Sequence, residues 1–296
     1  MAITAQDVKN LREMTGCGMM DCKKALAASE GDMDKAIEWL REKGLAASAK
    51  KAGRIAAEGM AYACVVDGVG VAVEVNAETD FVGKNEKFVD FVKGVANTVA
   101  KCAPADLDAL MECKYDGTDL TVLQQQQEMV LVIGENIKVR RFARFAEGFS
   151  VPYIHAGGKI GVLVDLEVSG GIDATEIGKD VAMQIAALNP RFLDKSQVTQ
   201  DVLDEEKKIM LAQMANDPKM ASKPDQVKEK IVLGKLNKFY SENCLLQQAF
   251  VKDGDVTVEQ YMNNAAKALG GAVKLLDAVR FEKGEGIEKK QENFAE

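Results

Sequence analysis

Over the first 45 residues, apolar positions recur at helical spacing, and three short helices are predicted. The first follows Thr4, a suitable N-cap, and carries Val8, Leu11 and Met14 on one face. Gly16 and Gly18 break it. The second runs from about Met20 to Ser29 with Cys22, Ala25 and Leu26 inward, and Gly31 ends it. Asp32 or Asp34 caps the third, whose stripe is Ala36, Ile37 and Leu40, and Gly44 is its expected stop. Residues 46–58 (AASAKKAGRIAAE) are small, basic and weakly patterned, and read as a linker behind a module over 1–45.

From residue 59 the period changes to two. Tyr62–Val66 and Val69–Val75 are predicted strands joined through Asp67-Gly68, a strong hairpin signal. After Thr79-Asp80-Phe81-Val82 comes a helix whose apolar face is Phe88, Phe91, Val92, Val95 and Val99. A helix around Asp119–Ile133 and a strand over Ile137–Phe145 complete this stretch, 59–145.

The same order then recurs over 146–281. Strands Val151–Ala156 and Ile160–Val168 meet at Gly157-Gly158-Lys159, and a helix near Thr175–Leu188 follows. A helix at Val258–Leu269 and a strand at Leu275–Phe281 close the copy. Two copies are too few for a solenoid and suggest two similar α+β halves packed together. The second half carries an insert at about 198–242. Asp201–Ala215 and Val227–Tyr240 are amphipathic helices around a turn bracketed by Pro218 and Pro224. Their narrow apolar stripes and charged flanks predict a projecting antiparallel coiled-coil hairpin. Two helices lying on the core is the alternative. Residues 282–296 follow the second copy.

Composition narrows the chemistry. The 296 residues carry 38 Lys and Arg, 46 Asp and Glu, one His and six Cys, for a formal net charge of −8. An acidic chain is a poor candidate for sequence-independent nucleic-acid binding, which needs Lys and Arg against phosphates. No apolar run approaches the ~20 residues of a membrane span, and the N-terminus lacks secretory or transit character. The expected setting is the cytoplasm, with reduced, mostly buried thiols. There is no phosphate-binding loop, G-x-S-x-G, H-E-x-x-H or cysteine pairing with metal spacing. His155, near a Gly turn, reads first as a structural residue and only second as a base, because no nucleophile can be paired with it. An enzyme using His155 or a Cys is therefore the weaker of the readings, and no cofactor or metal is expected.

Two groups of residues stand out. The loop Thr79-Asp80-Phe81-Val82 joins a strand to a helix, a frequent place for functional groups. Local pattern favours a plain account, with Thr79 or Asp80 as helix cap and Phe81 as hydrophobic staple. The sharper account has an acid and an aromatic exposed together as a wedge aimed at a partner. The second group is Arg12 with Met19 and Met20. Methionines at a Gly-rich turn serve either as core filler or as an adaptable contact surface, and spacing does not separate the two.

Four stretches carry a resemblance. Leu11-Arg12-Glu13-Met14-Thr15-Gly16-Cys17-Gly18-Met19-Met20-Asp21-Cys22-Lys23-Lys24-Ala25-Leu26 and Glu74-Val75-Asn76-Ala77-Glu78-Thr79-Asp80-Phe81-Val82 resemble signatures of the bacterial translation elongation factor Ts family. His155-Ala156-Gly157-Gly158-Lys159-Ile160-Gly161-Val162-Leu163-Val164 is similar to its second-half hairpin, and Arg280-Phe281-Glu282-Lys283-Gly284-Glu285-Gly286-Ile287-Glu288-Lys289 to its C-terminal end. The stretches lie along the whole chain in family order. Ala249, where many relatives have Pro, and Gly254-Asp255 depart from the pattern, and both fall after the coiled coil.

The resemblance implies a three-helix ubiquitin-associated-like N-domain, two related α+β subdomains, an inserted coiled-coil hairpin and a C-terminal module. It also implies guanine nucleotide exchange on elongation factor Tu, GDP-bound or nucleotide-free, without covalent chemistry. By similarity Phe81 inserts between two helices of that partner's nucleotide-binding domain, with Asp80 beside it in the T-D-F-V motif, and the bound Mg²⁺ is displaced. Arg12, Met19 and Met20 dock on the same domain, and His155 lies near a second-half contact. An adaptor whose N-terminal module binds ubiquitin-like partners is the rival reading, and it leaves the duplicated core without a role.

Overall fold

The computed structural model describes residues 3–15 and 17–288, so the expected break at Gly16 and the end of the 282–296 module lie outside the described residues. The fold is α+β. The chain divides into two compact units. The first takes the chain up to Ala146, Ile154–Val162 and the described residues from Phe281 on; the second takes Glu147–Tyr153 and Leu163–Arg280.

The first unit opens with α1 (Ala5–Thr15), α2 (Met19–Ala28) and α3 (Met33–Lys51). Asp32 caps α3 by accepting the Lys35 N–H at 3.0 Å. Val8, Leu11, Cys22, Ala25, Leu26, Ala36 and Leu40 form a shared core, as their spacing predicts. Met14 does not join it and is 63% exposed. Cys17, together with Leu131 and Val132 from a later helix, fills that cluster instead.

Gly44 does not end α3. The helix continues through the first part of the expected linker to Lys51. A Cβ at Gly44 would stand 3.2 Å from the carbonyl oxygen of Gln127, so this glycine permits close approach to the helix Val122–Ile133. The Lys51 ammonium also donates to the Gly134 carbonyl at the end of that helix, at 2.5 Å. Contact with a distant segment therefore overrides the local stop signal.

Strands β1 (Glu58–Val66) and β2 (Val69–Ala77) pair antiparallel, from Glu58 opposite Ala77 to Val66 opposite Val69. Asp67 and Gly68 turn the chain with φ of 50° and 82°, the left-handed pair that a two-residue hairpin requires. Three helices follow: α4 (Glu86–Cys102), α5 (Leu107–Glu112) and α6 (Val122–Ile133). Strand β3 (Lys138–Phe145) then returns antiparallel to β2, giving the order β1-β2-β3. The predicted stripe of α4, Phe88, Phe91, Val92, Val95 and Val99, packs with Val71, Val73 and Val75 of β2. Full burial of each such side chain is worth about 1.5–3 kcal/mol.

The opposite face of β2 is also covered. Glu74 is fully buried there. Its carboxylate accepts from Asn76 Nδ2 (3.0 Å), Arg140 (2.9 Å), Arg141 (2.5 Å) and the backbone N–H of Gly284 (2.8 Å). Arg141 also pairs with Glu285 at 3.0 Å, and its guanidinium stacks 4.4 Å over the Phe281 ring. Gly284 has φ of 72°, and a Cβ there would lie 2.0 Å from the Ala57 carbonyl oxygen. The segment after Phe281 is thus a strap fastened to the sheet.

In the second copy, β4 (Phe149–His155) and β5 (Ile160–Ser169) are followed by α7 (Thr175–Leu188). A Cβ at Gly178 would meet Val151 at 2.4 Å, which shows how closely α7 lies on β4. The insert is α8 (Gln200–Asn216), the short α9 (Pro218–Ala221) and α10 (Asp225–Asn243). Met210 and Met214 pack with Val232, Leu236 and Phe239 in a cluster that Val198, Cys244 and Phe192 join at the base of the hairpin. Next come the small pair β6 (Ala249–Phe250) and β7 (Asp253–Thr257), then α11 (Val258–Ala268) and β8 (Ala272–Glu282). The sheet order is β4-β5-β8, so hairpin, helix, later helix and strand do recur.

Candidate partner-binding site

The loop after β2 is shaped by three anchors. Asn85, not Thr79 or Asp80, caps α4, with its side chain accepting the Lys87 N–H at 3.0 Å. Val82–Lys84 forms a 3-10 turn, with Val82 and Gly83 buried. A Cβ at Gly83 would stand 2.7 Å from the Gly59 carbonyl oxygen, so the turn lies flush against β1.

The third anchor is Glu135, in the connection between α6 and β3. Its Oε2 accepts the N–H groups of Glu78 (3.1 Å) and Thr79 (3.0 Å), and its Oε1 accepts the Thr79 hydroxyl at 2.7 Å. Glu78 Oε1 in turn accepts the Asn136 N–H at 2.6 Å, and Asn136 Nδ2 donates to the Arg54 carbonyl at 2.8 Å. Neither Glu135 nor Asn85 stood out in the sequence. A Glu-Asn pair after a helix-ending Gly looks like ordinary loop chemistry, and only the fold brings it to the end of β2.

Between these anchors Asp80 and Phe81 face solvent. Phe81 is 80% exposed, although its neighbour Val82 is buried. The staple account therefore fails, because Phe81 has φ of −61° and ψ of −40° in a turn whose apolar contact is made by Val82. An exposed phenylalanine held on well-bonded backbone has little to gain in the isolated chain and much apolar area to bury elsewhere.

The N-terminal candidates are also on the surface. Arg12 is exposed, as are Met19 (51%) and Met20 (66%), and Met14 joins them. Met14 borders a hollow with Leu40, Arg41, Leu131 and Val132. Val132 also borders the hollow beside Phe81 and Val82, together with Lys87 and Ile133. The C-terminal turn of α6 thus connects the two regions. His155 is exposed at the end of β4, and its carbonyl accepts the N–H groups of Gly158 (3.2 Å) and Lys159 (3.1 Å) in a left-handed turn through Ala156, Gly157 and Gly158.

Burial pushes the Cys64 thiol up to about 11 and also raises Cys17 and Cys22, so these three stay protonated at neutral pH. Among the described residues no three His, Cys, Asp or Glu side chains group to hold a metal ion. Among them too, no helix is long and apolar enough to cross a membrane.

A family model described as Elongation factor TS matches residues 78–285. The chain is 48% identical over 299 residues to a protein named Elongation factor Ts from Syntrophotalea carbinolica, covering 100% of this chain and 97% of that one. It is 49% identical over 300 residues to the protein of that name from Clostridium kluyveri, covering 99% and 97%. To that from Trichlorobacter lovleyi it is 48% identical over 305 residues, covering 100% and 97%.

Proposed function

The chain belongs to the elongation factor Ts family of translation elongation factors, and we propose that it is the guanine nucleotide exchange factor for elongation factor Tu, opening that partner with the loop Thr79-Asp80-Phe81-Val82. The observation that carries the reading is the 80% exposure of Phe81 on a loop anchored at both ends.

In this reading Phe81 enters between two helices of the partner's nucleotide-binding domain, and Asp80 acts beside it. The partner's Mg²⁺ bridges phosphate oxygens of the bound nucleotide and offsets their charge. Its displacement loosens GDP, and GTP then binds. The module 1–45 docks through Arg12, Met19 and Met20 while the half 59–145 supplies the wedge. The half 146–281 adds a further contact near His155. No covalent step is needed, the nucleotide and metal belong to the partner, and the work takes place in the cytoplasm without nucleic acid or membrane.

Linkage sets a limit on such a factor. If it weakens nucleotide binding by some ratio, nucleotide weakens its own binding by the same ratio. Turnover therefore requires a complex loose enough for GTP to dissolve. A small wedge satisfies this, because it only has to favour the nucleotide-free conformation.

Stopped-flow release of a fluorescent GDP analogue from elongation factor Tu tests the reading. Micromolar chain should accelerate release strongly at millimolar Mg²⁺ and much less once chelator has removed the ion. No acceleration at either Mg²⁺ level refutes exchange activity, and equal acceleration at both refutes Mg²⁺ displacement.

A further inference from the structure

The wedge residues themselves make few of the contacts that hold them in place. The clasp around Glu135 makes them, and its bonds converge on the two residues immediately before Asp80. One carboxylate takes the N–H groups of Glu78 and Thr79 and the hydroxyl of Thr79. The reciprocal bond from the Asn136 N–H to Glu78 closes the clasp from the other side. A carboxylate accepting three hydrogen bonds in one place fixes both the position and the direction of the backbone that follows. Glu135 itself lies on the connection between α6 and β3, outside the loop it holds.

Building on the wedge reading above, we propose that Glu135 is a positioning residue for nucleotide exchange: it holds Thr79 so that Asp80 and Phe81 meet the partner already in their working direction. Without the clasp the residues from Glu78 to Phe81 sample other directions, so that only a fraction of the complexes already docked hold the competent one at any moment. Docking through Arg12, Met19 and Met20 does not depend on the clasp. The loss therefore falls on the maximal rate of GDP release and not on the concentration that half-saturates it.

The test measures GDP release from elongation factor Tu over a range of full-length chain, with Glu135→Ala, Glu135→Gln, Phe81→Ala and the Glu135→Ala/Phe81→Ala double variant. Glu135→Ala is expected to lower the maximal rate about tenfold, the scale on which small misplacements cost rate, and to leave half-saturation within about twofold. Glu135→Gln keeps one oxygen for the two backbone N–H groups, and its amide can donate to the rotated Thr79 hydroxyl, so most of the rate should return. The double variant should be no slower than Phe81→Ala alone, because the two residues act through one element. If Glu135→Ala does not fold by circular dichroism, Thr79→Val removes only the 2.7 Å hydroxyl bond and should give a smaller loss of the same kind. Normal rates for Glu135→Ala beside a slow Phe81→Ala overturn the positioning role alone, as does a further slowing in the double variant. A normal rate for Phe81→Ala overturns the wedge and the positioning role together.

Discussion

Replacing Phe81 by Ala separates what the residue does for the fold from what it does for a partner. Full burial of a phenylalanine is worth roughly 2.5 kcal/mol. At 80% exposure only about a fifth of this is realised in the isolated chain, or ~0.5 kcal/mol. For a unit of this size that lowers Tm by about 1–2 °C. The remaining four-fifths, ~2 kcal/mol, becomes available when the ring enters an apolar crevice. If that energy is realised in opening the partner, its loss slows factor-stimulated GDP release by a factor of roughly 30. The assay is stopped-flow release at saturating factor, paired with thermal melting of the same preparation. A variant that melts ten degrees lower would place Phe81 in the core. A variant that releases GDP at the parent rate would remove it from the mechanism.

Other residues give equally sharp outcomes. Glu74→Ala leaves Arg140 and Arg141 without their buried counter-ion and should cost about 3 kcal/mol in urea unfolding, the low end of the range because both arginines keep some solvent contact. For Glu74 in the parent chain, burial alone would raise the carboxyl pKa, but the bonds from Gly284, Asn76, Arg140 and Arg141 outweigh it and hold the group below its ordinary 4.5. A depressed carboxyl contributes stability above its unfolded pKa and loses it as pH falls through the folded one. Urea midpoints should therefore drop below about pH 4.5, and that part of the drop should vanish in Glu74→Gln. Gly284→Ala forces a Cβ onto the Ala57 carbonyl and should release the strap, read as faster limited proteolysis after Phe281. Asn85→Ala removes the cap of α4 and should cost about 1 kcal/mol, measured by chemical denaturation.

What the sequence made legible was whatever local chemistry determines. Asp67-Gly68 specifies its turn, and the stripe from Phe88 to Val99 specifies the face that α4 buries. The repeated order of hairpin, helix and strand foretold two sheets of like construction. Features set by distant partners leave no local signal or a misleading one. Gly44 looked like a stop and instead admits α6; α5 is too short to show a period. Met14 shares a spacing with Leu11 but lies beyond the helical cluster that Cys17 closes. Glu74, a charge within an apolar strand, is intelligible only once Gly284 is seen to return to it. The same holds at the site. Thr79 suggested a cap, yet its hydroxyl belongs to Glu135, 56 residues on.

Exchange through this loop depends most on where the Phe81 ring goes. Placing the photocrosslinking residue p-benzoylphenylalanine at position 81, and irradiating the full-length chain with elongation factor Tu, tests this directly. We expect a crosslinked product that maps by mass spectrometry to the partner's nucleotide-binding domain and that weakens as GTP is added. A product on another domain, or none while p-benzoylphenylalanine at Met20 crosslinks efficiently, would contradict the account.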